Sequence, residues 1–153
     1  MQLIRNTSNG RCRGFTLLEV LVAMVVLSVG LLGLSGLQTS SLRNNHSAFL
    51  RSQATLVAND ILDRMRVNRA VALTGAYNID YTTAAPTTIC NSGCEPGDVA
   101  DVDVALWRAY VGRLPGGQGE ISVDAAGVAE IKVRWADARD SSNKLQIVTR
   151  AQI

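Results

Sequence analysis

Hydrophobic and polar positions are spread very unevenly along this chain. Residues 15–37 read FTLLEVLVAMVVLSVGLLGLSGL, an apolar run interrupted by a single charge, Glu19. In helical form about 20 such residues cross a hydrocarbon core roughly 30 Å thick, so the run predicts a membrane-spanning helix. A buried helix of a soluble domain is the alternative, but the remaining chain is too short to enclose so long an apolar cylinder on every side. No proline or glycine occurs between 38 and 73, where Leu42, Phe49, Leu50, Val57, Ile61, Leu62 and Met65 recur at spacings of three, four and seven. This periodicity predicts an amphipathic continuation of the helix over 38–73, ended by Gly75. Its apolar stripe needs a partner, and Arg43, Arg51, Asp60, Asp63, Arg64, Arg66 and Arg69 form the expected solvated face.

The pattern then changes. Residues 76–97 carry Pro86, Pro96 and several threonines and read as a loop. Asp98 is the expected cap of a second helix reaching about Arg113, with Val99, Val102, Leu106 and Tyr110 on one face beside Trp107. Pro115-Gly116-Gly117 ends it. Three alternating segments follow: Ile121 and Val123; Ile131, Val133 and Trp135; then Leu145, Ile147, Thr149 and Ala151. Ala125-Ala126-Gly127 and the polar run from Asp137 to Asn143 connect them, so an antiparallel three-stranded meander is the simplest topology. A sheet this small buries one face, and the upper half of the long helix is the expected cover. The fold class expected is α+β.

Charge gives the orientation. Arg5, Arg11 and Arg13 precede the span with no acid among residues 1–14, and the next basic residue is Arg43. The positive-inside rule therefore places the N-terminus in the cytoplasm and the remainder outside. Removing those three arginines from the 15 basic residues leaves 12 against 13 acids, so the chain beyond residue 14 is close to neutral. Catalysis finds no support: there is no nucleophile–base spacing, no phosphate-cradling glycine loop and one histidine, His46. Asp98, Asp101 and Asp103 read as a solvated face rather than a calcium loop, because no glycine and distal glutamate follow at the required spacing. No cofactor and no metal is expected.

The junction before the span carries the most information. A secretory signal is cut after its apolar region at small residues, and nothing convincing of that kind follows Leu37. Instead Arg13-Gly14-Phe15-Thr16-Leu17-Leu18-Glu19 stands immediately before and within the run. These residues resemble the GFTLxE processing motif of type IV prepilins and pseudopilins. The resemblance implies cleavage by a prepilin peptidase between Gly14 and Phe15, N-methylation of Phe15, and a pairing of Glu19 with the amino terminus of a neighbouring subunit's Phe15 during assembly. An acid in a span costs up to about 3 kcal/mol, less near its end, and the helix dipole favours it in the first turn. A tolerated interfacial acid is thus the competing account of Glu19. Gly30, Gly33 and Gly36 either admit a close helix neighbour or are simply tolerated in lipid. Major type IV pilins usually carry a proline in this span, and this chain has none.

The resemblance extends to a type IV pilin-like lollipop, a long N-terminal helix embedded against a small antiparallel sheet. It divides the chain into a leader (1–14), a transmembrane and assembly helix (15–37), its amphipathic continuation (38–73) and a periplasmic globular domain (74–153). With Cys12 removed alongside the leader, Cys90 and Cys94 are the remaining cysteines. In an oxidising compartment they are expected to form a disulfide. A metal site lacks further ligands, and C-x3-C is not the redox spacing. The stretch Ala58-Asn59-Asp60-Ile61-Leu62-Asp63-Arg64-Met65-Arg66-Val67-Asn68 and the strand ending Val133-Arg134-Trp135-Ala136-Asp137 are similar to PilV-type minor pilins, the type IV pilus modification proteins. This implies a minor pilin, not an enzyme, that is anchored by one pass in the inner membrane and incorporated into a pilus. There it joins other minor and major pilins and the inner-membrane assembly machinery, primes assembly and sits at the tip. A type II secretion minor pseudopilin shares the leader and span. A DNA-uptake pilin would need a basic globular surface, whereas residues 74–153 carry seven basic against ten acidic side chains, which argues against nucleic acid.

Overall fold

In a computed structural model describing residues 14–136 and 143–153, the elements are helices α1 (Leu17–Val67), α2 (Arg69–Ala72) and α3 (Pro96–Val111), then strands β1 (Gln118–Val123), β2 (Val128–Ala136) and β3 (Lys144–Gln152). Arg5, Arg11, Cys12 and Arg13 of the expected leader, and residues 137–142 of the expected β2–β3 connection, lie outside the described residues. The fold is α+β: a long N-terminal helix packs against a small antiparallel sheet. By compactness the chain divides into two units, Met1–Ser41 and Leu42–Ile153.

In the first unit the described residues are helical from Leu17 onward, and their apolar side chains are exposed on every face. An 18-residue stretch of α1 is apolar enough to cross a membrane, and none of it is buried. The lack of any buried stripe is what separates it from a core helix, in which one face is covered.

In the second unit α1 contributes Leu50, Ala54, Ala58, Ile61, Leu62 and Met65 to the core. The buried stripe therefore starts later than the periodicity of large residues suggests: Leu42 and Phe49 are exposed, and two alanines take core positions. Small side chains at 54 and 58 let the backbone of α1 come close to its neighbours, which bulkier residues would prevent. The uninterrupted helix expected to residue 73 is also corrected. It stops at Val67, where Asn68 adopts φ −103° and ψ 41° and its Nδ2 donates to Pro96 O at 2.7 Å. That bond ties the break to the start of α3. Gly75, at φ +84°, then turns the chain away after α2, a left-handed conformation that suits glycine.

The sheet is a meander of order β1-β2-β3, antiparallel throughout. Cross-strand sets such as Ile121, Ile131 and Thr149, or Gly119, Val133 and Ile147, point to the core, as the two-residue alternation requires. Glu120, Glu130, Lys132 and Arg150 stand on the opposite face as a charge ladder, with Lys132 Nζ 2.6 Å from Glu120 and 2.9 Å from Glu130. The segment read as a loop supplies one further pairing: Ile79 bridges Ile121 through two backbone bonds, covering the β1 edge.

The second helix departs from its expected form at both cap and face. Glu95 is the N-cap, Pro96 occupies the first turn and Asp98 accepts from Glu95 N at 3.3 Å. Proline is favoured there because its missing N–H has no partner in a helix's first turn. The buried face is Ala100, Asp103, Val104, Trp107 and Val111, while Val99, Leu106 and Tyr110 are exposed. Trp107 sets this rotation. Its indole Nε1 donates to Val57 O at 3.1 Å and its ring lies over Gly119, where an added Cβ would stand 2.3 Å from Cη2.

Candidate functional site

Gly14, Phe15 and Thr16 precede α1 outside any helix or strand, and Thr16 caps it. The Thr16 Oγ1 accepts from Glu19 N at 3.2 Å, and Thr16 O from Val20 N at 3.3 Å. Thr16-Leu17-Leu18-Glu19 thus has the spacing of a capping box, with the acid at the third helical position. Sequence reasoning overlooked Thr16, although threonine three residues before an acid at the head of an apolar run is the signal for it. The cap starts the helix just after Phe15, so Phe15 and Glu19 fall one turn apart and line one face with Val20, Ala23, Met24 and Leu27. Phe15 is 83% exposed, and Glu19 forms no ion pair among the described residues. Among the described residues this carboxylate has no ion partner; beside an exposed aromatic on the apolar first part of α1, it is available to a cation brought from outside.

A second polar constellation was not foreseen. Asp103, read as solvated, is only 8% exposed and is held at both oxygens. Arg64 donates to Oδ1 at 2.9 Å, and the buried Tyr77 hydroxyl donates to Oδ2 at 2.9 Å. Arg64 also donates to Asp60 Oδ2 at 3.0 Å, and Asn68 Nδ2 lies 3.3 Å from the Tyr77 oxygen. The hydrogen bonds to both carboxylates raise the Arg64 pKa. Burial pushes the Tyr77 phenol up to about 12. The cluster fastens α1, α3 and the segment after Gly75 to one another. Its signal in the sequence was positional: Asp103 falls on the stripe Ala100, Val104, Trp107 and Val111 once the core face is taken from those residues.

Cys90 and Cys94 are joined in a disulfide with Cα atoms 5.7 Å apart, within the usual range. The bridge closes immediately before the Glu95 cap. Thr88 Oγ1 donates to Asp101 Oδ2 at 2.7 Å, fixing the same loop to α3. Earlier in the loop, Asp80 Oδ1 accepts from the backbone and hydroxyl of both Thr82 and Thr83 at 2.6–2.9 Å. Those bonds, led by the Thr83 N–H, lower its pKa to about 2. Arg108 donates to the carbonyls of Asp80 and Thr83, and burial lowers its pKa. Asp98, Asp101 and Asp103 therefore do not converge: one caps, one anchors a threonine and one belongs to the buried cluster.

Comparison with known proteins bears on the N-terminal segment. Residues 9–35 match the family described as the prokaryotic N-terminal methylation motif. The match contains Gly14, Phe15 and Glu19, and it supports a type IV pilin-like prepilin, a substrate of prepilin peptidase. With the exposed apolar helix, it fits single-pass anchoring in the inner membrane. No curated protein and no solved structure matches the chain.

Proposed function

We propose that this chain is a minor pilin of a type IV pilus, of the PilV type, that helps prime assembly and sits at the pilus tip. A prepilin peptidase cuts between Gly14 and Phe15 and methylates the new amino terminus. Residues 15–37 hold the product in the inner membrane, N-terminus cytoplasmic, with residues 74–153 in the periplasm. On assembly, the Glu19 carboxylate neutralises the Phe15 amino group of a neighbouring subunit. The observation carrying this reading is the exposed Glu19, which forms no ion pair among the described residues, one turn from Phe15 in an apolar stretch that matches the methylation motif. A charge left alone in such surroundings is costly, and meeting an ammonium there relieves both.

The test is co-expression with a prepilin peptidase and sequencing of the product's N-terminus, which is expected to begin at methylated Phe15. A product cut beyond Leu37 would overturn the reading. Glu19→Ala and Glu19→Gln are expected to be processed and retained in the membrane yet absent from sheared pili, because each leaves the neighbour's ammonium unpaired. Both variants entering pili at wild-type levels would refute the pairing.

A further inference from the structure

The start of α1 is fixed from both sides. The Thr16 carbonyl accepts the first intrahelical bond, from Val20 N at 3.3 Å, and the Thr16 hydroxyl accepts from Glu19 N at 3.2 Å, which makes Leu17 the first helical residue. Phe15, just before the cap, and Val20, the fourth helical residue, border one hollow on the helix surface. An apolar pair at that spacing fixes the angle at which the chain enters a helix. Gly14 and Phe15 stay outside the helix, and among the described residues nothing stands within 4 Å of where a Cβ would lie on Gly14. The Gly14–Phe15 amide thus lies one residue ahead of the cap, unwound and open.

We infer that Thr16 is a positioning residue for processing: its cap stops the helix short of the scissile bond and holds that bond unwound for the peptidase. The inference rests on the proposed cleavage between Gly14 and Phe15. In an α-helix each N–H donates to the carbonyl four residues back, which for Glu19 is that of Phe15. The Thr16 hydroxyl takes this N–H instead and so withholds the donor that would draw Phe15 into the helix. Without the hydroxyl, the N–H groups of the first turn need other acceptors. Fraying inward would leave them bare in apolar surroundings, where an unsatisfied N–H is costly, so the helix extends outward over Phe15 and Gly14. An amide wound into a helix has its carbonyl engaged and its neighbours wrapped round it. The peptidase must then unwind it before water adds across the bond, leaving a carboxyl on Gly14 and an amine on Phe15. Only the unwound fraction binds, so the apparent affinity falls by that fraction while the bound complex reacts as before.

The test compares Thr16→Val, which keeps the side chain's shape and removes its acceptor, with Thr16→Asn, which changes the shape and still caps. Full-length precursors in detergent micelles are cut by a purified prepilin peptidase, and initial rates give kcat and KM. Thr16→Val is expected to lose roughly fivefold in kcat/KM, the equivalent of about 1 kcal/mol for a lost cap, through KM with kcat kept. Thr16→Asn is expected to stay within about twofold of the unaltered chain. Backbone carbon chemical shifts of the uncut precursors give a readout apart from catalysis. Gly14 and Phe15 should be non-helical in the unaltered chain and in Thr16→Asn, and helical in Thr16→Val. Thr16→Val cut as fast as the unaltered chain, Thr16→Asn cut as slowly as Thr16→Val, a loss confined to kcat, or unchanged shifts in Thr16→Val would each overturn the inference. N-terminal sequencing separates the two failures. An unaltered chain not cut between Gly14 and Phe15 defeats the proposed function, whereas one cut there, with Thr16→Val indifferent, defeats the positioning role alone.

Discussion

Replacing Asp103 by alanine removes the centre of the buried polar cluster while leaving its neighbours in place. The lost bond from the buried Tyr77 hydroxyl is one to a charged acceptor, a class that contributes about 1.5–3 kcal/mol. The Arg64 pairing adds less, because that side chain is 33% exposed and keeps Asp60; solvent screening holds it to about 0.5–1 kcal/mol. Alanine also relieves the cost of burying a carboxylate, which offsets part of the loss. A net destabilisation of about 2 kcal/mol follows, lowering the melting temperature by about 10 °C in a unit of this size. Trp107 and Trp135 are both buried in the second unit, so tryptophan emission of the detergent-solubilised full chain reports its unfolding. Tyr77→Phe should cost about 1.5–3 kcal/mol, and the double variant should fall short of the sum because both changes delete the same bond. Alkali gives an independent readout. The folded phenol, pushed up to about 12, keeps its proton where the unfolded one, near 10, has lost it. The native state then binds more protons, so this contribution is present below pH 10 and is lost as pH rises towards 12. Tyr77→Phe should flatten that decline. A change below about 0.5 kcal/mol for Asp103→Ala would match a surface site and refute the reasoning.

Gly119→Ala places a Cβ 2.3 Å from the Trp107 ring, so Trp107 must move off its bond to Val57. The expected cost is about 1–3 kcal/mol with altered tryptophan emission, and an unchanged melting temperature would contradict the close approach. Asp80→Asn should flatten the acid limb of stability. The lowered carboxyl pKa contributes stability that is present above the unfolded value near 4 and is lost as pH falls to about 2, which acid titrations of both proteins would show.

What could be read directly from the chain is what depends on local order. The apolar run from Phe15 to Leu37, the Gly14-Phe15 junction with Glu19 beyond it, and the strand alternation around Ile131 and Leu145 each express a short-range rule, whether span length, motif spacing or the period of a strand. The Cys90–Cys94 bridge was legible for the same reason, the two residues being near neighbours. Tertiary structure decided where one element meets another. The stripe on α1 is set by how close the sheet and α3 approach, which favours Ala54 and Ala58 over Leu42 and Phe49. The helix ends at Val67 because Asn68 bonds to the distant carbonyl of Pro96. Asp103 and Arg64 look like ordinary surface charges until α3 is rotated so that Trp107 lies over Gly119, and that rotation follows from packing between residues far apart in sequence.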